Sequence, residues 1–470
     1  ATGFLLTRIF RSHYSFIEPS SWLLSLAFLL AYAILFISYY RQQIPRTIFQ
    51  YFTFLFCIFE LSLSTYYVIG SLGNEWVFPS REGYLRNISA ISKLVSDTRK
   101  NNKTFYRTER IESQTGNDSM KFNYNGISQF SSIRNTASSS TLDRLGFKSE
   151  GTNLNLRYQN NTIIADSLFG IKYNLESLNL NKYGFYQLNS EKSMRIYQNN
   201  NAAQLAILTD DVYKDTPFTV NTLDNQSNLL NALSGLNLTY FKRAPSQLLD
   251  KDTKSLNQRV AKRNSHSNKD SVTVSYQVTT PPHSQLYISI PNISWSDDNP
   301  HSLSTTVNGV TKSQITDNTF DFFDLGYFEK EETITVGLTF YGNKAISFDN
   351  PSFYALNTQN YQTAMDTINQ RDVKVTTAKN KVFADYNSKK EASLFFTIPY
   401  DKGWTATVNS KKVKIYRSQK GFMKVNIPSG KGKVVLTFVP YGFKLGLLIS
   451  CLSSLTFCCY AHFIRKSRLI

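Results

Sequence analysis

Five side chains stand where their type suits chemistry on a sugar or a phosphate. Glu60 lies inside an otherwise uncharged run, TIFQYFTFLFCIFELSLSTYYVI, from Thr47 to Ile69. A carboxylate at bilayer depth costs on the order of 3 kcal/mol, so it must face a helical partner or a wet cavity rather than lipid. There it is either a candidate intramembrane acid near a site or a protonated structural group bonded to a neighbouring helix. Trp295 and Trp404 close two similar stretches, and an exposed indole is a platform for a sugar ring, whereas a packed one fills a β core. Asp401 and Lys402, just before Trp404, are either acceptor contacts or solvated turn residues.

Other reactive groups are less organised. Asp210 and Asp211 are adjacent carboxylates without further ligands, which is weak support for a cation site. His13, His266, His283, His301 and His462 are scattered and form no nucleophile arrangement. Cys57, Cys451, Cys458 and Cys459 all lie in apolar runs, so neither a disulfide framework nor the usual zinc spacing is present. A large thiol-free segment fits the outer face of a bacterial cell.

These residues need a scaffold, and hydropathy supplies its outline. Transmembrane helices are expected at about 21–40, 47–69 and 441–464, since about twenty apolar residues cross a bilayer. The short RQQIPR loop carries Arg41 and Arg46, and the 465–470 tail carries Arg465, Lys466 and Arg468. The positive-inside bias puts both in the cytoplasm and the segment between them, Gly73 to Val439, outside. Arg8 and Arg11 oppose that assignment. No cleavable signal precedes the first span, so the expectation is a fragment or processed form whose residues 1–72 end an N-terminal membrane bundle.

The whole chain of 470 residues has a formal charge of +18, and the outward segment holds 44 of its 52 Lys and Arg against 32 of its 34 Asp and Glu, about +12. An anionic cell-wall polymer, lipid headgroups or nucleic acid would suit such a surface, as would simple solubility. No nucleic-acid motif favours that last polymer.

Within the segment, Leu85, Ile88, Ile91, Leu94 and Val95 share one stripe of a helix over 82–100, and Leu229, Leu230, Leu233 and Leu236 do so over 226–236. Alternating stretches at 105–111, 153–158, 193–198 and 203–208 predict strands. This gives a mixed α/β domain over 73–249, then a polar linker or loop at 250–270. An internal repeat follows. LYISIPNISW (Leu286 to Trp295) matches LFFTIPYDKGW (Leu394 to Trp404), TTVNG matches TATVNS, and VGLTFY matches VVLTFVPY. Two related β-sandwich modules of jelly-roll or immunoglobulin-like type are expected over 271–356 and 357–440. The overall class is thus membrane-anchored, α+β followed by β.

A set of short segments in fixed order carries a resemblance: FYRTE (Phe105 to Glu109), NGISQFSS (Asn125 to Ser132), DSLFGIKY (Asp166 to Tyr173), IYQNNNA (Ile196 to Ala202) and the late VPYGFKLG. Together they resemble the C-terminal half of the YfhO family, bacterial multi-spanning proteins similar to C-type glycosyltransferases. The resemblance implies transfer of a sugar from a polyprenyl-phosphate donor to a surface polymer such as lipoteichoic or wall teichoic acid. It implies as partners the membrane lipid, an anionic cell-surface polymer and the polyprenyl-linked sugar, with no nucleic acid, and it leaves a divalent-cation requirement open. The catalytic carboxylate is implied to lie in an early outside loop absent from this chain, so the catalytic residues are unknown here. Glu60 matches a position where family members often carry an acid. A noncatalytic membrane-anchored carbohydrate- or polymer-binding module is the alternative, and a transport accessory would share the topology.

Overall fold

The computed structural model describes residues 19–75, 80–133, 135–147, 149–150, 155–158, 161–250, 254–256, 259–263, 271–294, 302–315, 322–342 and 345–467. The chain divides into two compact units, Ala1–Arg86 and Asn87–Ile470. Among the described residues three helices are long and apolar enough to cross a membrane, through Leu23–Tyr40, Arg46–Leu72 and Phe443–Ile464.

The first unit is built around the helices Pro19–Tyr40 and Arg46–Glu75. Gln42, at φ 56°, turns the chain between them, and Pro45 precedes the second helix, where its missing N–H costs nothing. Across this hairpin the Tyr39 and Phe49 rings stack with centroids 4.6 Å apart. A short helix, Arg81–Leu85, follows, with the Ser80 hydroxyl accepting from the Gly83 N–H as an N-cap.

The stripe expected over 82–100 is interrupted at Asn87, whose φ of 61° is left-handed, so the helix restarts as Ile88–Asn101. Asn tolerates that conformation better than most residues because its short side chain bonds locally. The helix buries Ala90, Ile91, Leu94 and Val95 against Leu175, Met194 and Ile196. Those three belong to a four-stranded sheet in the order Arg107–Arg110, Ile171–Glu176, Met194–Asn199, Phe185–Glu191, with the first pair parallel. The second expected helix forms as Thr222–Ser234, capped by Asn221 and closed by Gly235 at φ 78°.

The repeated segments build two matching pairs of antiparallel sheets. In the first pair a five-stranded sheet runs Ser246–Leu248, Ser271–Thr280, Glu332–Tyr341, Ser302–Val307, Val310–Ile315, and a four-stranded sheet runs Phe322–Phe328, Ser284–Ser289, Ser352–Asn357, Phe241–Arg243. In the second pair the five are Val373–Ala378, Lys381–Ser388, Gly430–Phe438, Trp404–Val408, Lys411–Val413, and the four are Tyr416–Ser418, Phe422–Ile427, Ala392–Pro399, Ala206–Leu208. Alternate residues point inward in both, so that Val272, Val274 and Val278 share a core with Leu286 and Ile288, and Val382 and Ala384 share one with Leu394 and Phe396. The tight hairpins also correspond: Asn308 and Gly309 have φ of 47° and 83°, and Asn409 and Ser410 have 48° and 69°. Two consecutive positive φ values match the right-handed strand twist.

Two features differ from the sequence reading. Residues 250–270 are not simply a linker or loop, because Lys254–Leu256 and Arg259–Arg263 form a hairpin that pairs with Ala345–Asp349. Polar composition hid it, since Val260 is the apolar residue it buries while Arg259 pairs with Asp349 at 3.4 Å and Lys262 with Asp250 at 3.0 Å. In addition, Thr358–Asn369 is a helix lying between the repeats. Its Tyr361, Ala364, Met365 and Ile368 join Leu229, Leu230 and Leu233 in a central core that also takes Tyr287 from the first repeat and Phe395 from the second.

Ser410 occupies a left-handed position that costs an L-residue roughly 1–2 kcal/mol and a glycine almost none. Ser410→Gly is therefore expected to raise the melting temperature of the purified full chain by a few degrees. A melting temperature that stays level or drops would contradict the turn geometry.

Candidate functional site

Three of the short ordered segments end up side by side on the four-stranded sheet and its flanking loops. FYRTE enters on Arg107–Arg110, DSLFGIKY supplies the end of the short helix Ile163–Leu168 and the start of Ile171–Glu176, and IYQNNNA closes Met194–Asn199. Where they meet, a cleft of roughly 400 Å³ opens, bounded on its far side by Val373 and Lys374.

The cleft is lined by Lys172 and Lys374, by Gln198, Asn199, Asn200 and Gln204, and by Phe105 and Tyr106, with the amides of Asn199 and Gln204 already bonded within the protein. Lys172 Nζ donates to Asn102 Oδ1 at 2.6 Å, and partial burial holds its pKa below the usual lysine value. Among the described residues no carboxylate lines the cleft. Such a lining suits hydroxyls and anions, held by directional bonds and charge.

Its floor is rigid because the polar groups are satisfied in pairs. Asn199 Nδ2 donates to Ser167 Oγ at 3.0 Å and to Ile171 O at 3.2 Å, while Asn199 Oδ1 accepts from Asn201 N at 2.9 Å. Asn201 and Gln362 exchange amide bonds of 3.0 and 2.9 Å. Gly170 turns the chain at φ 64°, where a Cβ would stand 2.8 Å from Ala203 O, so no larger residue fits. Arg107 passes beneath, donating to Phe169 O at 2.6 Å and to Thr397 O at 2.8 Å, and burial lowers its pKa to about 10.

Behind the cleft lies a buried polar cluster formed by the same segments and by NGISQFSS. Glu109 accepts from the Ile127 N–H, from the Ser128 N–H at 3.0 Å and from the Ser128 hydroxyl at 2.9 Å. Burial nevertheless pushes its carboxyl up to about 7. Asp166 forms a fully buried ion pair with Lys182, whose Nζ also donates to Tyr158 OH at 3.2 Å. Burial pushes Asp166 up to about 6 against the pull of that lysine.

The residues singled out from sequence fall elsewhere. Glu60 accepts from Tyr32 OH on the preceding helix at 2.9 Å, the helical partner that its depth demands. Trp404 is half-buried and packs on Phe438 with centroids 4.9 Å apart, as a core residue does. Asp401 Oδ1 accepts from the Gly403 N–H at 2.7 Å and so serves its own turn. Lys402 is exposed, 5.7 Å over the Tyr441 ring. Trp295 lies outside the described residues. Asp210 and Asp211 both pair with Lys390, at 3.5 and 2.6 Å, and no metal-binding cluster occurs among the described residues. Lys172, Asn199 and Asn200 were visible in sequence only as parts of ordered segments, and Lys374 carried no signal.

Candidate membrane spans on both sides of a mixed α/β region with several antiparallel sheets define an integral membrane protein. The sequence pattern of the bacterial membrane protein YfhO matches residues 1–450, and the chain belongs to that family. YfhO of Bacillus subtilis (strain 168) is 31% identical over 105 residues, which are 22% of this chain and 12% of that protein. Among solved structures, a family two carbohydrate esterase from Cellvibrio japonicus is similar at 15% identity, covering 24% of this chain and 33% of its own, with a TM-score of 0.15. A Paenibacillus cycloisomaltooligosaccharide glucanotransferase is similar at 7% identity, covering 41% of this chain and 44% of its own, with a TM-score of 0.18. Scores this low carry no argument.

Glu109 and Asp166 give a signed pH dependence. Their ordinary values are 4.5 and 3.8, so between about 4 and 7 the native state retains protons that the unfolded chain has released. Their contribution to stability is present below that window and is lost as pH rises through about 6 and 7. Chemical denaturation across pH 4–8 should show that decline, and Glu109→Gln should flatten its upper part. A decline unaltered by Glu109→Gln would rule out this origin.

Proposed function

We propose that this chain is the C-terminal part of a membrane glycosyltransferase that moves a sugar from a polyprenyl-phosphate donor to an extracytoplasmic polymer such as lipoteichoic or wall teichoic acid. The observation that carries this reading is the cleft itself. Two lysines, the amide-bearing Gln198 and Asn200 and two aromatic residues line it where three family segments meet, and that combination suits a hydroxyl-rich chain bearing phosphates. In this reading the cleft's part in the reaction is to hold the acceptor, since its described lining is cationic and polar. The base that takes the acceptor proton and the charges that receive the leaving lipid phosphate belong to the membrane bundle in this reading.

The large unit is read as extracytoplasmic because the short loop with Arg41 and Arg46 and the tail with Arg465, Lys466 and Arg468 carry the membrane-flanking cations. Its repeated sheet pairs are read as sandwiches of jelly-roll or immunoglobulin-like type, which set the cleft off from the bilayer. The cationic and polar described lining of the cleft also suits the second reading, a noncatalytic membrane-anchored module that binds wall polymer.

Mass analysis of envelope polymers separates the two. A strain lacking the full-length protein should lose a sugar substituent, and restoring the wild-type gene should return it. The full-length Lys172→Ala/Lys374→Ala variant should restore it roughly tenfold less well at limiting acceptor, since each lost charge-assisted contact is worth about 1.5–3 kcal/mol in a dry site and less here. Polymers that keep every substituent in the deletion strain would remove the transferase reading. Full restoration by the double variant would remove the cleft from it.

A further inference from the structure

The end of the second repeat that leads into the last membrane helix carries a cluster of cations that neither the cleft nor the core uses. The strand Gly430–Phe438 is followed after four residues by the helix Phe443–Ser467, which contains the candidate span Phe443–Ile464. Four residues reach at most roughly 15–18 Å, so this end of the module must stand at the bilayer surface whichever way the chain is oriented. The link is also pinned: Val439 N donates to Gly403 O at 3.0 Å, and Phe443 N to Pro440 O at 3.1 Å. At Gly403 an added Cβ would collide with Val439 O, so the turn before Trp404 is held close against the link.

Three further turns converge there. Asn380 bonds Phe438 in both directions, its Nδ2 and its O each meeting the Phe438 backbone at 2.8 and 2.9 Å, which brings Lys379 alongside. Tyr400 N donates to Gly421 O at 2.9 Å, which brings the turn holding Lys420, and the Arg417 guanidinium lies 5.9 Å over the Tyr400 ring. Lys402 lies 5.7 Å over Tyr441, and Lys444 opens the membrane helix. All five cations are exposed, and the neighbouring carboxylate, Asp401, is turned onto the Gly403 N–H. Exposed apolar groups accompany them: Tyr441 is 80% and Phe443 57% exposed. Asn135 Nδ2 donates to Tyr400 O at 2.6 Å, and two residues before it Ile133 is 91% exposed.

Cations interleaved with rings and an aliphatic tip, around the root of a span, match the phosphate layer of a bilayer and the hydrocarbon just beneath it. We infer that Lys379, Lys402, Arg417, Lys420 and Lys444 form a docking surface for anionic phospholipid headgroups that seats the second repeat on the membrane. The cleft is separate from it. Val373 and Lys374 begin the strand whose other end, Ala378, leads into the Lys379 turn, so roughly 17 Å of strand lies between the two. With the headgroup contacts made, the module stands at a fixed height and the cleft is carried above the surface.

The test is hydrogen–deuterium exchange of the full chain in nanodiscs of phosphatidylcholine, with and without phosphatidylglycerol. Residues 399–404 and 416–421 should exchange at least roughly tenfold more slowly with the anionic lipid, and residues 170–173 should not change. Lys402→Gln/Arg417→Gln/Lys420→Gln should abolish the difference, while Lys402→Arg/Arg417→Lys/Lys420→Arg should keep it, which separates loss of charge from loss of fold. Equal protection in both nanodiscs would overturn the inference. So would equal protection from soluble polyglycerol phosphate added to phosphatidylcholine nanodiscs, since the partner would then be a free polymer.

Discussion

One guanidinium bridges two parts of the large unit. Arg107 enters from the first strand of the mixed sheet and spends its donors on Phe169 O in the cleft floor and on Thr397 in the second repeat. Burial of a charge without such partners would cost several kcal/mol, and the depressed pKa records part of that cost. The same junction is stitched by the strand Ala206–Leu208, which leaves the mixed region to pair with Ala392–Pro399. Residues about 190 apart in the chain are thereby adjacent in one sheet. Neither the mixed region nor the second repeat is closed without the other.

That interdependence explains the character of the cleft. It lies where the mixed sheet meets the first strand of the second repeat, so its walls belong to segments fixed by long-range pairing. Its floor is fixed by bonds that run inward from Asn199 to Ser167 and from Ser167 to Tyr361 in the central core. A side chain held by a satisfied network loses little freedom when a ligand arrives. Lys172, bonded to Asn102, and Lys374 add charge beside that floor.

The two repeats show how one architecture is put to two uses. Both pair five strands with four and turn the same hairpin on consecutive positive φ residues. In the first, neighbouring segments fill the edges: Phe241–Arg243 and Ser246–Leu248 pair with its outer strands, and the hairpin over 254–263 pairs with Ala345–Asp349. In the second, one end continues into a membrane helix and is rich in exposed cations and aromatic rings. The difference follows from connectivity, because only the second repeat is joined directly to a span.

Local pattern alone determined the spans, the two amphipathic helices, the repeat and the family, since each is written in residues close together in sequence. Hydropathy marked 441–464 as a candidate span, Leu229, Leu230 and Leu233 marked one helix face, and the two hairpins each lead with Asn. The depth of Glu60 likewise called for a partner on a neighbouring helix, and Tyr32 is that partner. Tertiary structure decided what those patterns could not contain. The hairpin at 254–263 needed a partner strand about 90 residues away, and Asp401 and Trp404 were assigned to turn and core by contacts with Gly403 and Phe438. The cleft existed nowhere in the sequence as a unit, because Lys172 and Lys374 are about 200 residues apart and meet only once strand pairing has folded the chain back on itself.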